Sequence, residues 1–171
     1  MYALKFKFNA MRNTLLTFFA VLTAAGSVAQ GMTTLKLKTI VAEVADTLQN
    51  TGNAFQFLYE KKLIICVYDE NADRMRLISP IIERQELEEE QLLNALVANF
   101  HSALDVRYAL SDEIIWSVYT HPLKSLGPDQ LKDAISQVYK AAITFGTTYS
   151  SSDLVFPGNS RKKDKKELQK G

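Results

Sequence analysis

The stretch from Leu104 to Phe145 constrains the fold more than any other, because it reads as two short strands followed by an amphipathic helix. Apolar side chains fall at every second residue in Val106-Tyr108-Leu110 and again in Ile114-Trp116-Val118, which gives each run one face suited to burial. Bringing both faces to one side of a sheet sets Leu110 opposite Ile114, Tyr108 opposite Trp116 and Val106 opposite Val118, with Ser111-Asp112-Glu113 as a three-residue turn. Ile115 and Tyr119 then fall on the second face, which is expected to be covered by something. The helix that follows carries several start signals: Gly127 as N-cap, Pro128 at N1, Asp129 at the positive helix end and Gln130 at the capping-box position. Leu126 and Leu131 occupy the hydrophobic staple positions, and Leu131, Ile135, Val138, Ala142 and Phe145 form one apolar stripe.

The first 29 residues read as an address. Lys5, Lys7 and Arg12 make a basic start, Leu15 to Ala25 is an apolar run too short to remain as a membrane span, and Ser27-Val28-Ala29 fits the small-x-small cleavage rule. Residues 1–29 are therefore expected to be a signal peptide cleaved after Ala29, with Met11 an equally complete start. The product is expected to be periplasmic or secreted. No later segment reaches the ~20 apolar residues of a membrane span. The formal net charge of +1 becomes −2 without the signal, and the body from Gln30 to Ser160 carries −6. That balance argues against a nucleic-acid groove. Cys66, the single cysteine, lies in the apolar run Leu63 to Tyr68, where it reads as a small core residue.

In chain order, Leu37, Val41, Val44 and Leu48 define a first helix ending near Gly52. Phe55 to Tyr59, Lys62 to Tyr68 and Arg74 to Ser79 read as antiparallel strands, the third closed by Pro80. The acidic run Glu83 to Glu90 opens a second helix whose apolar stripe is Leu92, Leu96 and Phe100, flanked by Leu93 and Val97. The expected fold is α+β: a five-stranded antiparallel sheet with three helices, order α-β-β-β-α-β-β-α, gathered mainly on one face. It occupies residues 30–150 as a single domain, and residues 151–171 form a disordered basic tail ending in RKKDKKELQKG.

No constellation carries recognisable catalysis. Asp69-Glu70-Asn71-Ala72-Asp73 imitates the opening of a calcium loop, but Arg74 stands where glycine is needed and Pro80 where the bidentate glutamate belongs. His101 and His121 have no ligand partners at metal spacing. Glu86 to Glu90 suits a solvated helix start. Nucleophile-elbow, zinc and phosphate-loop motifs are missing from the sequence. The expectation is no catalytic residue, no cofactor and no metal.

The element order, the helix ending at Gly52, the strand Met75-Arg76-Leu77-Ile78-Ser79-Pro80, the helix Gln91 to Phe100 with Leu92-Leu93-Asn94 near its start, and the strands leading through His121-Pro122-Leu123 resemble the YbjN-like family, which shares the fold of type III secretion chaperones. The resemblance covers residues 34–148. It implies a non-enzymatic protein, commonly homodimeric, that binds segments of another polypeptide. Secretion chaperones act in the cytoplasm, however, whereas this chain carries an export signal. A second reading is a periplasmic carrier of a small apolar ligand lined by Tyr108, Trp116 and Tyr119.

Overall fold

A computed structural model describes residues 31–154; residues 1–30, on which the expected signal peptide falls, and residues 155–171, with the RKKDKKELQKG stretch, lie outside the described residues. The elements are α1 (Thr34–Val44), β1 (Thr47–Thr51), β2 (Ala54–Tyr59), β3 (Lys62–Asp69), β4 (Arg74–Glu83), a 3-10 turn (Arg84–Glu86), α2 (Glu89–His101), β5 (Arg107–Ser111), β6 (Ile114–His121) and α3 (Pro128–Thr144). The strands form one antiparallel sheet in the order β1-β2-β3-β4-β6-β5.

The sheet has six strands, which corrects the five expected. The additional strand is Thr47–Thr51, which the sequence reading absorbed into the first helix through Leu48. Helix α1 stops at Val44, and Asp46 crosses to the next hairpin. Its N–H donates to the Leu58 carbonyl, and its carboxylate accepts from the Lys61 N–H. Thr47, Asn50 and Thr51 are poor helix formers, and Gly52, at φ +61°, turns the chain back so that Leu48 faces Phe57. Leu48 reaches the core from a strand as well as it would from a helix.

The register of β5 and β6 is also corrected. Tyr108 lies opposite Ser117, Leu110 opposite Ile115 and Ser111 opposite Ile114, one residue away from the expected pairing. The turn has two residues, Asp112 and Glu113, both at positive φ as a type I′ hairpin requires. A one-residue slip exchanges the faces. Ile115, Ser117 and Tyr119 are buried under the helices, and Trp116 and Val118 sit half-buried on the other side. Ser117 explains the choice, since its small side chain lets α3 approach and its hydroxyl donates to the Val138 carbonyl at 2.9 Å.

Pro80 does not end β4. The strand runs on to Glu83 with Pro80 opposite Trp116 and an irregularity before Ile82. The β3–β4 ladder stops at Ile65–Ile78, and the Ser79 hydroxyl takes the Leu63 carbonyl at 2.7 Å. A proline lacking an N–H is thereby accommodated.

Helix α3 starts as its sequence signals, with Gly127 as N-cap, its N–H reaching the Gln130 side chain, and Leu126 and Leu131 both buried. Leu131, Ile135 and Val138 face the sheet and meet Phe55, Phe57, Ile64, Met75 and Leu77 in one core, and Ala142 is buried as well. Among the described residues, no helix is long and apolar enough to cross a membrane.

Candidate functional site

Buried polar groups show first where chemistry is absent. Ser102 Oγ donates to the Tyr149 carbonyl at 2.7 Å, Ser151 Oγ donates to the Ala103 carbonyl at 2.7 Å, and Gln137 Nε2 donates to Asp133 Oδ2 at 2.6 Å. Among the described residues, no buried side-chain nitrogen or oxygen lacks a partner. These groups hold elements together and do not converge on a cleft.

The acidic segment after β3 behaves as a turn. Asp69 Oδ1 accepts from the N–H groups of Asn71 and Ala72, each at 2.9 Å, and Asp73 Oδ1 accepts from the Lys124 N–H at 2.7 Å. The Glu70 carboxylate accepts from the hydroxyl and the N–H of Thr34, and these bonds hold it below its ordinary pKa. Three carboxylates thus point to three separate partners. His121 stacks on Tyr119; its Nδ1 meets the Pro122 carbonyl at 2.7 Å and its Nε2 meets Gln130 Nε2 at 3.0 Å. That set makes Nδ1 the protonated nitrogen, because Gln130 Nε2 is a donor. His101 lies against Phe100 at the end of α2. Among the described residues, no group of three or more histidine, cysteine or carboxylate side chains could hold a metal ion. Cys66 is fully buried, and burial pushes its thiol up to about 12, so it is unreactive at neutral pH.

The three aromatic residues expected to line a ligand cavity do not share a space. Tyr108 and Tyr119 are buried on the helix side, Tyr108 donating its hydroxyl to the Ala141 carbonyl at 3.0 Å, while Trp116 is on the opposite face and donates its Nε1–H to the Ser111 carbonyl. A cavity of about 530 Å³ instead opens on the surface beside the β3–β4 turn, lined by Asn53, Val67, Tyr68, Arg74, Arg76 and Thr120 among others.

Apolar surface is where the molecule departs from a closed domain. Helix α2 begins with acidic residues Glu89 and Glu90, and the Glu88 N–H is capped by the Gln91 side chain at 3.0 Å. Its fully buried residues are Ala95 and Ala98, and its large apolar residues point outward. Leu93, Leu96, Val97 and Phe100 are 56%, 59%, 47% and 83% exposed. Their spacing of i, i+3, i+4 and i+7 makes one continuous stripe. The sequence shows an apolar stripe on this helix, Leu92, Leu96 and Phe100 flanked by Leu93 and Val97, without saying what it faces; the alanines are the residues that pack, because α2 lies close against the edge strand. Asn99 anchors it there by bonding both backbone groups of Tyr108. Leu110 of β5, on the helix side of the sheet, is also exposed. A second apolar surface is the open sheet face, where Leu63, Ile65, Ile78, Pro80, Trp116 and Val118 are all half-buried and the cross-strand pairs Ile65–Ile78–Val118 and Pro80–Trp116 form a band.

No protein-family model and no curated protein matches the chain. Solved structures do. SchA in the HopA1–SchA chaperone–effector complex superposes with a TM-score of 0.51 at 12% identity, covering 64% of this chain and 88% of its own. The Yersinia pestis type III secretion chaperone SycH, in complex with a stable fragment of YscM2, superposes with a TM-score of 0.50 at 14% identity, covering 64% of this chain and 96% of its own. The fold is that of type III secretion chaperones. At this identity the likeness is one of fold.

Proposed function

We propose that this is an exported, non-catalytic YbjN-like protein that binds another polypeptide and works as a homodimer. The observation that carries the reading is the inverted burial of α2, which packs its alanines and presents Leu93, Leu96, Val97 and Phe100. A stripe of this length and spacing is the complement of an amphipathic helix or extended apolar segment. The solved neighbours bind polypeptides, which supports the reading for this fold. Ile115 and Tyr119, whose face the sequence leaves to be covered, are buried within the domain and play no part. The open sheet face, with Trp116 and Val118, is a second surface that supports self-association.

The test is fluorescence anisotropy with a labelled, reduced and carboxymethylated α-lactalbumin, a polypeptide that cannot fold. The chain from Gln30 binds it, and the native folded form of the same polypeptide does not compete. Equal binding of both forms, or of neither, rejects the reading. Export is tested by N-terminal sequencing of the protein from its own cells: a chain beginning at Gln30 is expected, and one retaining residues 1–29 contradicts it. Light scattering of that chain reads the dimer directly.

A further inference from the structure

The open sheet face carries opposite charges at the two ends of its apolar band. Strand register sets Ile65, Ile78 and Val118 in one row across the sheet, and Pro80 with Trp116 in the next, where Leu63 follows Ile65 two residues along β3. In β4 the row before these holds Arg76, opposite Val67 and Thr120, and the row after them holds Glu83, opposite Ile114. Residues that pair directly across strands share a face, so Arg76 and Glu83 both stand on this one. Both are exposed, and among the described residues neither is in an ion pair. Glu83 accepts from the neighbouring Gln85 amide and keeps its charge.

That order of charges is complementary to itself. Two sheets packed face to face as identical copies are related by a two-fold axis lying in the plane between them. An axis along the strands would set Arg76 on Arg76 and Glu83 on Glu83. An axis across the strands, passing between the two apolar rows, reverses one sheet and sets Arg76 against the partner's Glu83, twice. The same operation lays Ile65 on the partner's Leu63, Ile78 on the partner's Pro80 and Val118 on the partner's Trp116. Opposite charges and apolar rows coincide under one symmetry operation.

The area is sufficient. Six strands spaced ~4.8 Å apart are about 29 Å wide, and β4 from Arg76 to Glu83, at ~3.3 Å per residue, is about 23 Å long. Overlap of that patch covers roughly 600 Å² on each copy, about 1,200 Å² in all, which is the lower end for specific interfaces.

We propose that the open sheet face is a two-fold interface between two copies of this chain, with β4 lying over the partner's β4 in the opposite direction and Arg76 paired with Glu83 on both sides of the axis. This rests on the homodimer of the reading above and names its contact surface. The stripe of Leu93, Leu96, Val97 and Phe100 is no part of that surface, so the dimer carries two such stripes for polypeptide.

The test compares Arg76→Glu, Glu83→Arg and the double exchange Arg76→Glu/Glu83→Arg with the parent, all in the chain from Gln30, by sedimentation velocity over a concentration series. Each single change sets like charges together twice and is expected to raise the dimer dissociation constant at least about tenfold. The double exchange restores opposite charges and is expected to return the constant to within about threefold of the parent. Such a rescue excludes misfolding as the cause of the single effects. A dimer indifferent to both single changes, or a double exchange no better than either, overturns the proposal and leaves the homodimer to another surface. Dissociation by Leu96→Gln/Phe100→Gln with the charge variants unaffected overturns it likewise and places the contact on α2. A chain that is monomeric at every concentration removes the homodimer itself, and this interface with it.

Discussion

The side-chain amide of Asn99 serves as a strand neighbour for Tyr108: its Nδ2 donates to the Tyr108 carbonyl at 3.2 Å, and its Oδ1 accepts from the Tyr108 N–H at 2.7 Å. Tyr108 lies in β5, the last strand of the sheet, whose outward backbone groups would otherwise be open to another chain. One residue thus holds α2 in place and closes an edge. Asn99→Ala should lower stability by about 1–3 kcal/mol, the cost of leaving such groups unpaired. It should also make the protein self-associate through β5, read by urea denaturation and by light scattering. A variant as stable and as monodisperse as the parent would show that the amide does neither.

The exchanged faces of β6 give a direct comparison. Ile115→Ala removes a buried side chain and should cost about 2–5 kcal/mol. Trp116→Ala removes a larger but half-exposed one and should cost less. Urea midpoints in the opposite order would restore the expected register of Tyr108 against Trp116.

Stripe residues should be dispensable for folding. Leu96→Gln and Phe100→Gln should each change stability by no more than about 0.5 kcal/mol, as is usual for exposed positions. Both should reduce binding of an apolar fluorescent dye. A large loss of stability would mean that these side chains pack within the folded monomer.

Alkaline pH should unfold the domain sooner than its other groups require. Burial pushes the Cys66 thiol from 9.0 up to about 12 and the Tyr108 hydroxyl from 10.0 up to about 12. The folded chain keeps protons that the unfolded chain releases, so this contribution is full below pH 9 and is lost as pH rises towards 12. In Cys66→Ala the decline should begin nearer pH 10, where tyrosine starts to contribute, as followed by urea midpoints across that range.

Much of this fold was legible because local signals agreed with one another. The start of α3 carried a cap, a proline and a staple together, and the Glu60-Lys61 turn joined two strongly apolar strands. Where the reading failed, two solutions buried similar apolar area. In β6 both faces are apolar, and the polar Ser117 argued for the wrong one; its burial depends on a carbonyl of α3, which only the assembled fold supplies. Leu48 satisfied a helix and a strand alike. On α2 the leucines and phenylalanine outweighed the alanines in a reading by hydrophobicity, although close packing favours small residues where a helix lies against a strand. Ala95 and Ala98, three residues apart, were the available signal. The candidate surface was invisible for that reason, since a stripe announces burial without saying against what.

The central claim is that the exposed face of α2 takes a polypeptide, and it is tested most directly by position. Affinity for carboxymethylated α-lactalbumin should be compared in the parent, in Leu96→Gln/Phe100→Gln, and in Leu35→Gln/Ile143→Gln, which alters two exposed apolar residues on other helices. The account predicts that the α2 pair loses binding by at least about tenfold, roughly 1.4 kcal/mol, while the control pair keeps it. Equal loss in both pairs, or none in the α2 pair, would contradict it.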